Sequence, residues 1–83
     1  MITIIGLGFV GLTTALGFAE KGFKVYGIEI SQEKVSLLKK FEVPFHEPHL
    51  KEKLKLHISE NNFVVTTEIK YALNNSEIIM ICV

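Results

Sequence analysis

The chain has 83 residues, a formal net charge of zero and one cysteine, and 48% of its residues are hydrophobic. This length holds one domain at most. The lack of a basic excess argues against a nucleic-acid-binding protein, and a single cysteine cannot form an internal disulfide. The apolar runs fall short of the roughly 20 residues that a membrane span needs, and no basic leader follows Met1. We therefore expect a cytoplasmic protein that binds neither nucleic acid nor membrane.

Short runs rich in apolar and β-branched residues predict four strands, and amphipathic stretches lie between them. The predicted strands are residues 2–5, 24–28, 63–66 and 78–83. Strands that alternate with helices indicate a parallel sheet with right-handed crossovers. The predicted fold is thus a Rossmann-type α/β domain with strand order 3-2-1-4.

Four helices are predicted between these strands, in the order β-α-β-α-α-β-α-β. The first covers residues 12–21 and stops at Gly22, the usual helix-ending residue. The second runs to about residue 40 after a Ser31 cap. The third begins near Pro48, with inward positions at residues 50, 54 and 58. A short fourth helix, residues 68–74, would be capped by Thr67.

A glycine-rich loop follows the first predicted strand and opens the first helix. Its pattern is Gly6-x-Gly8-x-x-Gly11, and Glu29 comes at the end of the second strand. In this context Gly6 allows a tight turn, Gly8 lets a pyrophosphate approach the backbone, and Gly11 lets the helix pack closely. The helix N-terminus then attracts the phosphates. We interpret the loop as a dinucleotide-binding site.

The acid at position 29 favours NAD as the cofactor. Glu29 can accept both ribose hydroxyls of the adenosine, and its charge would repel the 2′-phosphate of NADP. All nine basic residues are lysines, so no arginine is present to clamp a phosphate. Lys34, one turn into the second helix, could reach the adenosine ribose or phosphate.

Five segments of the chain resemble the UDP-glucose/GDP-mannose dehydrogenase family. They are residues 4–12 (IIGLGFVGL), 27–35 (GIEISQEKV), 44–50 (PFHEPHL), 63–68 (FVVTTE) and 79–83 (IMICV). The segment around Glu47-Pro48 is the most specific of the five, because other dinucleotide-binding folds do not carry it there.

Members of this family oxidise the C6 hydroxyl of a nucleotide sugar to a carboxylate with two NAD in sequence. The resemblance implies that Phe9, Val10, Glu29 and Lys34 contact the cofactor. It also implies that residues 1–83 form the NAD-binding N-terminal portion of a longer enzyme. The catalytic cysteine, the catalytic lysine and the sugar-binding domain of the family would then lie beyond this portion. Residues 1–83 would hold no catalytic residue and would meet the nucleotide sugar only through the missing domains.

The chain departs from the family pattern at a few positions. Glu29 replaces the usual Asp, and histidines replace two residues of the Glu-Pro segment. His46 and His49 flank Glu47, but no further Cys or close His completes a zinc set, so we expect no metal.

We assign His57 no role. Cys82 lies in an apolar strand with no cation to lower its pKa, which favours a place in the core.

Two other functions share this loop and acid. One is an NAD(H)-sensing regulatory module like those that gate potassium channels. The other is a different dehydrogenase, such as a hydroxyacyl-CoA enzyme. About 22 residues separate the second helix from the third strand, which disfavours the sensing module, and the Glu-Pro segment disfavours the other enzyme.

The sequence also predicts self-association through the last strand, an apolar edge with no protecting Lys or Pro.

Overall fold

A parallel β-sheet with helices packed against it forms the frame of the protein in a computed structural model, which describes residues 1–43, 47, 49–70, 74 and 76–82. Its elements are β1 (Ile2–Ile5), α1 (Phe9–Glu20), β2 (Val25–Ile28), α2 (Gln32–Lys39), α3 (Leu50–Ser59), β3 (Phe63–Thr66) and β4 (Ile78–Ile81). No helix among the described residues is long and apolar enough to cross a bilayer.

The strand order is β3-β2-β1-β4, and each neighbouring pair is parallel. This confirms the predicted Rossmann-type sheet. Ile5 at the end of β1 is level with Ile28 on β2 and Ile81 on β4. Because all the strands run in one direction, their carboxyl ends share one edge, where ligands bind in open α/β sheets.

The core lies between the sheet and the inner faces of the helices. The largest fully buried side chains include Ile4 on β1, Leu12 and Leu16 on α1, Leu54 on α3 and Phe63 on β3. Leu12 and Leu16 lie four residues apart on α1, so they mark the face of this helix that packs on the sheet.

Gly27 in the middle of β2 makes close packing around Phe63 possible. A Cβ at Gly27 would lie 2.7 Å from the Phe63 ring and 2.9 Å from a methyl group of Leu7. These separations are shorter than van der Waals contact, so a larger residue at this position would push two core side chains away from the sheet.

The helix ends follow the predicted signals with one exception. The Ser31 hydroxyl accepts the N–H of Lys34 at 3.3 Å and caps α2. Gly22 has a φ of +92° and ends α1. The exception is the cap predicted at Thr67, since the hydroxyl of Thr66 accepts the Glu68 N–H at 3.0 Å.

Several predicted boundaries differ from the structure by one to three residues. The first helix begins at Phe9, not at residue 12, because Gly11 fits inside the first turn instead of preceding it. Strand β2 starts at Val25, not Lys24, and β4 ends at Ile81. Residue 83 and residues 71–73 of the predicted fourth helix lie outside the described residues, as do Pro44, Phe45, His46 and Pro48 of the Glu-Pro segment.

Helix α3 buries His57, a residue whose burial the sequence did not predict. Leu50 and Leu54 are buried as predicted, but His57 is only 5% exposed and Ile58 is half-buried. Neither ring nitrogen of His57 has a hydrogen-bond partner among the described residues. This face of α3 thus carries an unsatisfied polar group, which opposes folding.

Candidate cofactor-binding site

The glycine loop between β1 and α1 is shaped by two glycines that the chain's own packing requires. Gly6 has a φ of +94°, and a Cβ there would collide with the backbone carbonyl oxygen of Cys82. Gly11 is buried in the first turns of α1, where a Cβ would collide with the carbonyl oxygen of Gly6. A side chain at Gly6 would thus displace the loop from the end of β4, and a side chain at Gly11 would push α1 away from the loop.

Gly8 differs from the other two glycines, because no contact with the described residues requires a glycine there. Its φ of −71° and ψ of −166° are extended backbone that any residue adopts. A Cβ at Gly8 would meet no heavy atom of the described residues within 4 Å. The missing side chain therefore keeps open the space in front of the loop, where a ligand can approach the backbone.

Helix α1 directs its N-terminus into this space. Gly8 is its N-cap residue and provides no capping side chain, and the first turn contains no acidic residue. The first N–H groups of an α-helix lack intrahelical acceptors and carry a partial positive charge of about half a unit. The side chains of Phe9 and Val10 are exposed beside them, Val10 to 65%. This end of α1 is suited to an anion such as a phosphate.

Two adjoining clefts lie along the carboxyl edge of the sheet. The first, here called the helix cleft, has a volume of about 430 Å³ and is lined by Gly8, Phe9, Val10, Gly11, Ile81 and Cys82. The second, here called the acid cleft, has a volume of about 340 Å³ and is lined by Ile5, Gly6, Gly8, Ile28, Glu29, Ile30, Lys34 and Cys82. All seven predicted site residues line one cleft or the other.

The carboxylate of Glu29 lies in the acid cleft and holds two backbone segments together. Its Oε1 accepts the N–H of Leu7 in the glycine loop at 3.1 Å. Its Oε2 accepts the N–H of Ser31 before α2 at 3.0 Å. The ammonium of Lys34 lies 3.8 Å from Oε1. Glu29 thereby joins the glycine loop to the turn between β2 and α2.

These neighbours keep Glu29 ionised, although the residue is only 8% exposed. Burial alone would raise the pKa of the carboxyl group. The N–H groups of Ser31 and Leu7 and the charge of Lys34 outweigh burial, so the pKa lies below its ordinary value. A carboxylate offers about four acceptor positions, and the two N–H groups use two of them. The remaining positions can accept the hydroxyl groups of a ribose.

Cys82 is one of the lining residues whose place sequence reasoning missed. It packs against the hydrophobic core, as predicted, but it also lines both clefts. Its position directly after β4, at the carboxyl edge of the sheet, was the signal that could have revealed this. Cys82 lies against the glycine loop and lines the two clefts where they adjoin.

The described residues of the Glu-Pro segment belong to no metal-binding cluster. Among the described residues, no group of three or more His, Cys or Glu side chains could hold a metal ion. Glu47 and His49 are exposed and precede α3, and His46 lies outside the described part of the chain.

Comparison with known protein families identifies the domain. The family described as "UDP-glucose/GDP-mannose dehydrogenase family, NAD binding domain" matches residues 1–83. The chain belongs to this family. Its cofactor is therefore NAD, as the glycine loop and the acid at the end of β2 predicted.

Curated relatives and solved structures agree with this assignment. The chain is 37% identical over 82 residues to GDP-mannose 6-dehydrogenase of Pseudomonas syringae pv. syringae, covering 99% of this chain and 19% of that protein. It is 43% identical to the uncharacterised protein MJ1054 of Methanocaldococcus jannaschii over 99% of this chain and 9% of that protein. A ternary complex of GDP-mannose dehydrogenase from Pseudomonas aeruginosa superposes with a TM-score of 0.92 at 33% identity, over 99% of this chain and 19% of that one. The chain thus spans less than a fifth of the length of these relatives.

Proposed function

We propose that residues 1–83 are the NAD-binding N-terminal portion of a nucleotide-sugar 6-dehydrogenase. The observation that carries the proposal is the open space at Gly8, next to the N-terminus of α1 and to the buried carboxylate of Glu29. A dinucleotide needs these three features together: room at the backbone for its pyrophosphate, a positive helix end, and an acceptor for its ribose.

Each predicted residue has a role in this arrangement. Gly6 and Gly11 hold the loop in shape, and Gly8 admits the pyrophosphate to the N–H groups that begin α1. Glu29 accepts the adenosine ribose hydroxyls, and Lys34 lies at the mouth of the same cleft. Phe9 and Val10 line the helix cleft, towards which the rest of the dinucleotide would extend.

When bound, NAD accepts hydride from the substrate. The chemistry proposed for the whole enzyme is oxidation of the C6 hydroxyl of a nucleotide sugar to a carboxylate, with two NAD used in sequence. This chain contributes cofactor binding and orientation and no catalytic residue, so residues 1–83 alone should produce no NADH from NAD and UDP-glucose or GDP-mannose. The relatives named above include dehydrogenases, which supports this function, and nothing among them supports a potassium-channel sensing module.

Ligand titration by calorimetry tests the proposal. Because the adenosine half of the site is complete in these residues, ADP-ribose should bind nearly as tightly as NAD, and NADPH should bind more weakly than either. Tighter binding of NADP than of NAD would contradict the role given to Glu29. Failure of both ADP-ribose and NAD to bind would contradict the proposed function.

The single cysteine offers an independent test of where the ligand binds. Cys82 lies between the two clefts, so a bound pyrophosphate should cover it. We expect ADP-ribose to slow the alkylation of Cys82 by iodoacetamide, as measured by mass spectrometry. Adenosine, which lacks the pyrophosphate, is the control ligand and should protect less. Equal alkylation rates with and without saturating ADP-ribose would place the ligand elsewhere.

A further inference from the structure

Three consecutive residues at the end of β2 contact the glycine loop. The carbonyl oxygen of Ile28 accepts the N–H of Gly6 at 2.8 Å, and the carboxylate of Glu29 accepts the N–H of Leu7 at 3.1 Å. Gly27 precedes them and contributes the absence of a side chain, because a Cβ there would lie 2.9 Å from a methyl group of Leu7. The Leu7 side chain therefore fills the space that a side chain at position 27 would need.

Leu7 is the residue through which the loop is anchored in the core. Its side chain is only 1% exposed, and the ring of Phe63 on the other side of Gly27 is equally buried. A close-packed core offers Leu7 no empty space to move into. Because Leu7 is bonded directly to Gly8, a displacement of Leu7 also displaces the backbone at which α1 begins.

We propose that Gly27 is a positioning residue for the pyrophosphate: by leaving room for the Leu7 side chain, it fixes where Gly8 and the first turn of α1 present their N–H groups. This inference rests on the proposed function, which places the pyrophosphate at Gly8. The competing explanation is that Gly27 serves only the packing of Phe63, whose ring would lie 2.7 Å from a Cβ at position 27. The two explanations differ in what a larger residue at position 27 moves, the loop or the ring.

Four variants separate these explanations. Gly27→Ala adds one carbon atom at the contact with Leu7. Val25→Ile is the matched control, because it adds one carbon atom to the same buried face of β2, at the end of the strand away from the loop. Gly27→Ala with Leu7→Val returns space on the side of the loop, and Gly27→Ala with Phe63→Leu returns it on the side of the ring.

Calorimetric titration with ADP-ribose gives the dissociation constant of each variant, and urea unfolding of the same samples gives its stability. For Gly27→Ala we expect the dissociation constant to rise by about tenfold, the size of one weakened hydrogen bond to a charged phosphate. Val25→Ile should stay within about threefold of the unmodified protein, even where it is equally destabilised. Adding Leu7→Val to Gly27→Ala should recover most of the affinity, whereas adding Phe63→Leu should not.

Hydrogen exchange reads the position of the loop without a ligand. The N–H of Leu7 is bonded to Glu29, so a displaced Leu7 should weaken this bond. After correction for global stability, the Leu7 amide should exchange faster in Gly27→Ala than in Val25→Ile, as measured by NMR.

A second pair of variants tests the anchor if Gly27→Ala does not fold. Leu7→Val alone loosens the same contact from the side of the loop and should weaken ADP-ribose binding by about threefold or more. Leu54→Val shortens an equally buried leucine on α3 and should leave the affinity unchanged. Equal affinities of these two variants would refute the inference.

The outcomes that overturn the inference are distinct from those that overturn the proposed function. Unchanged ADP-ribose affinity in a folded Gly27→Ala protein would refute it, and so would equal losses in Gly27→Ala and Val25→Ile. Recovery through Phe63→Leu instead of Leu7→Val would assign Gly27 to the packing of the ring alone. In each case the proposed function still holds if the unmodified protein binds ADP-ribose. If it does not, the proposed function fails first.

Discussion

Replacing Gly8 with valine should abolish cofactor binding and leave the fold intact. Both the loss of binding and the unchanged fold are expected from the local structure at Gly8. The backbone at Gly8 is extended and a Cβ there meets no heavy atom within 4 Å, so the free energy of unfolding should change by no more than about 0.5 kcal/mol. The same side chain would project into the space that the pyrophosphate needs.

The loss of affinity can be estimated from the hydrogen bonds at stake. A bond from a backbone N–H to a charged phosphate contributes about 1.5–3 kcal/mol. Losing two such bonds at the start of α1 would cost about 3–6 kcal/mol, which is more than a hundredfold in the dissociation constant. Gly8→Ala, with a smaller side chain, should show an intermediate loss.

Calorimetric titration with ADP-ribose measures this effect, and urea unfolding of the same samples measures stability. Gly17→Ala is the matched control, because Gly17 also has open space at its Cβ but lies away from both clefts, in the middle of α1. It should bind ADP-ribose normally and gain up to about 1 kcal/mol from better helix propensity. Gly6→Ala should instead unfold the protein or strongly destabilise it, because of its collision with Cys82. Unchanged ADP-ribose affinity in a folded Gly8→Val protein would refute the assignment of the cleft.

Three further outcomes are expected. Because the pKa of Glu29 is lowered in the folded state, its contribution to stability is present above the ordinary glutamate pKa of about 4.3 and disappears as the pH falls through the folded-state value. The difference in Tm between the protein and Glu29→Gln should therefore shrink as the pH is lowered below about 4.3. A constant difference would contradict this. His57→Leu should raise the free energy of unfolding in urea by about 1–2 kcal/mol, because both buried ring nitrogens lack partners among the described residues; a loss of stability would show that His57 has a partner. Light scattering over a concentration series should show self-association through β4, weakened by Ile79→Lys, and a monomer at high concentration would refute it.

The last of these predictions depends on where β4 lies. It pairs with β1 on one side and forms an edge of the described sheet, with the side chains of Ile78, Ile79 and Ile81 exposed. The predicted edge position is thereby confirmed, whereas self-association remains a prediction. An edge strand presents unpaired N–H and C=O groups that a second chain can join.

Much of this fold could be predicted because local signals and global pattern agree. The alternation of strands and helices predicted the sheet order, and single residues such as Ser31 and Gly22 predicted helix ends. The glycines at positions 6 and 11 could be expected for the same reason, since a tight turn and a close helix approach both follow from the order of elements. These features depend on neighbours in sequence or on rules that every parallel sheet obeys.

Other features depend on distances that no local pattern contains. Leu50 and Leu54 define the inner face of α3, but His57 and Ile58 both lie near the next position on that face. The spacing of the leucines does not decide whether His57 or Ile58 is buried. That choice depends on how α3 is rotated about its own axis, which its contacts with neighbouring elements determine. The partners of Glu29 are a similar case, since Leu7 is 22 residues away in the sequence.

Glu29 shows why such contacts matter for function. The sequence predicted an acid that would bind ribose, and the structure adds that the same carboxylate holds the glycine loop through Leu7 and the start of α2 through Ser31. In the proposed function, ribose binding and loop position are therefore set by one side chain. A substitution at Glu29 changes the shape of the loop and the chemistry of the cleft together, so binding data on its variants require the stability of each variant to be measured beside them. Gly8 has no such second role, which makes it the cleaner position at which to test the site.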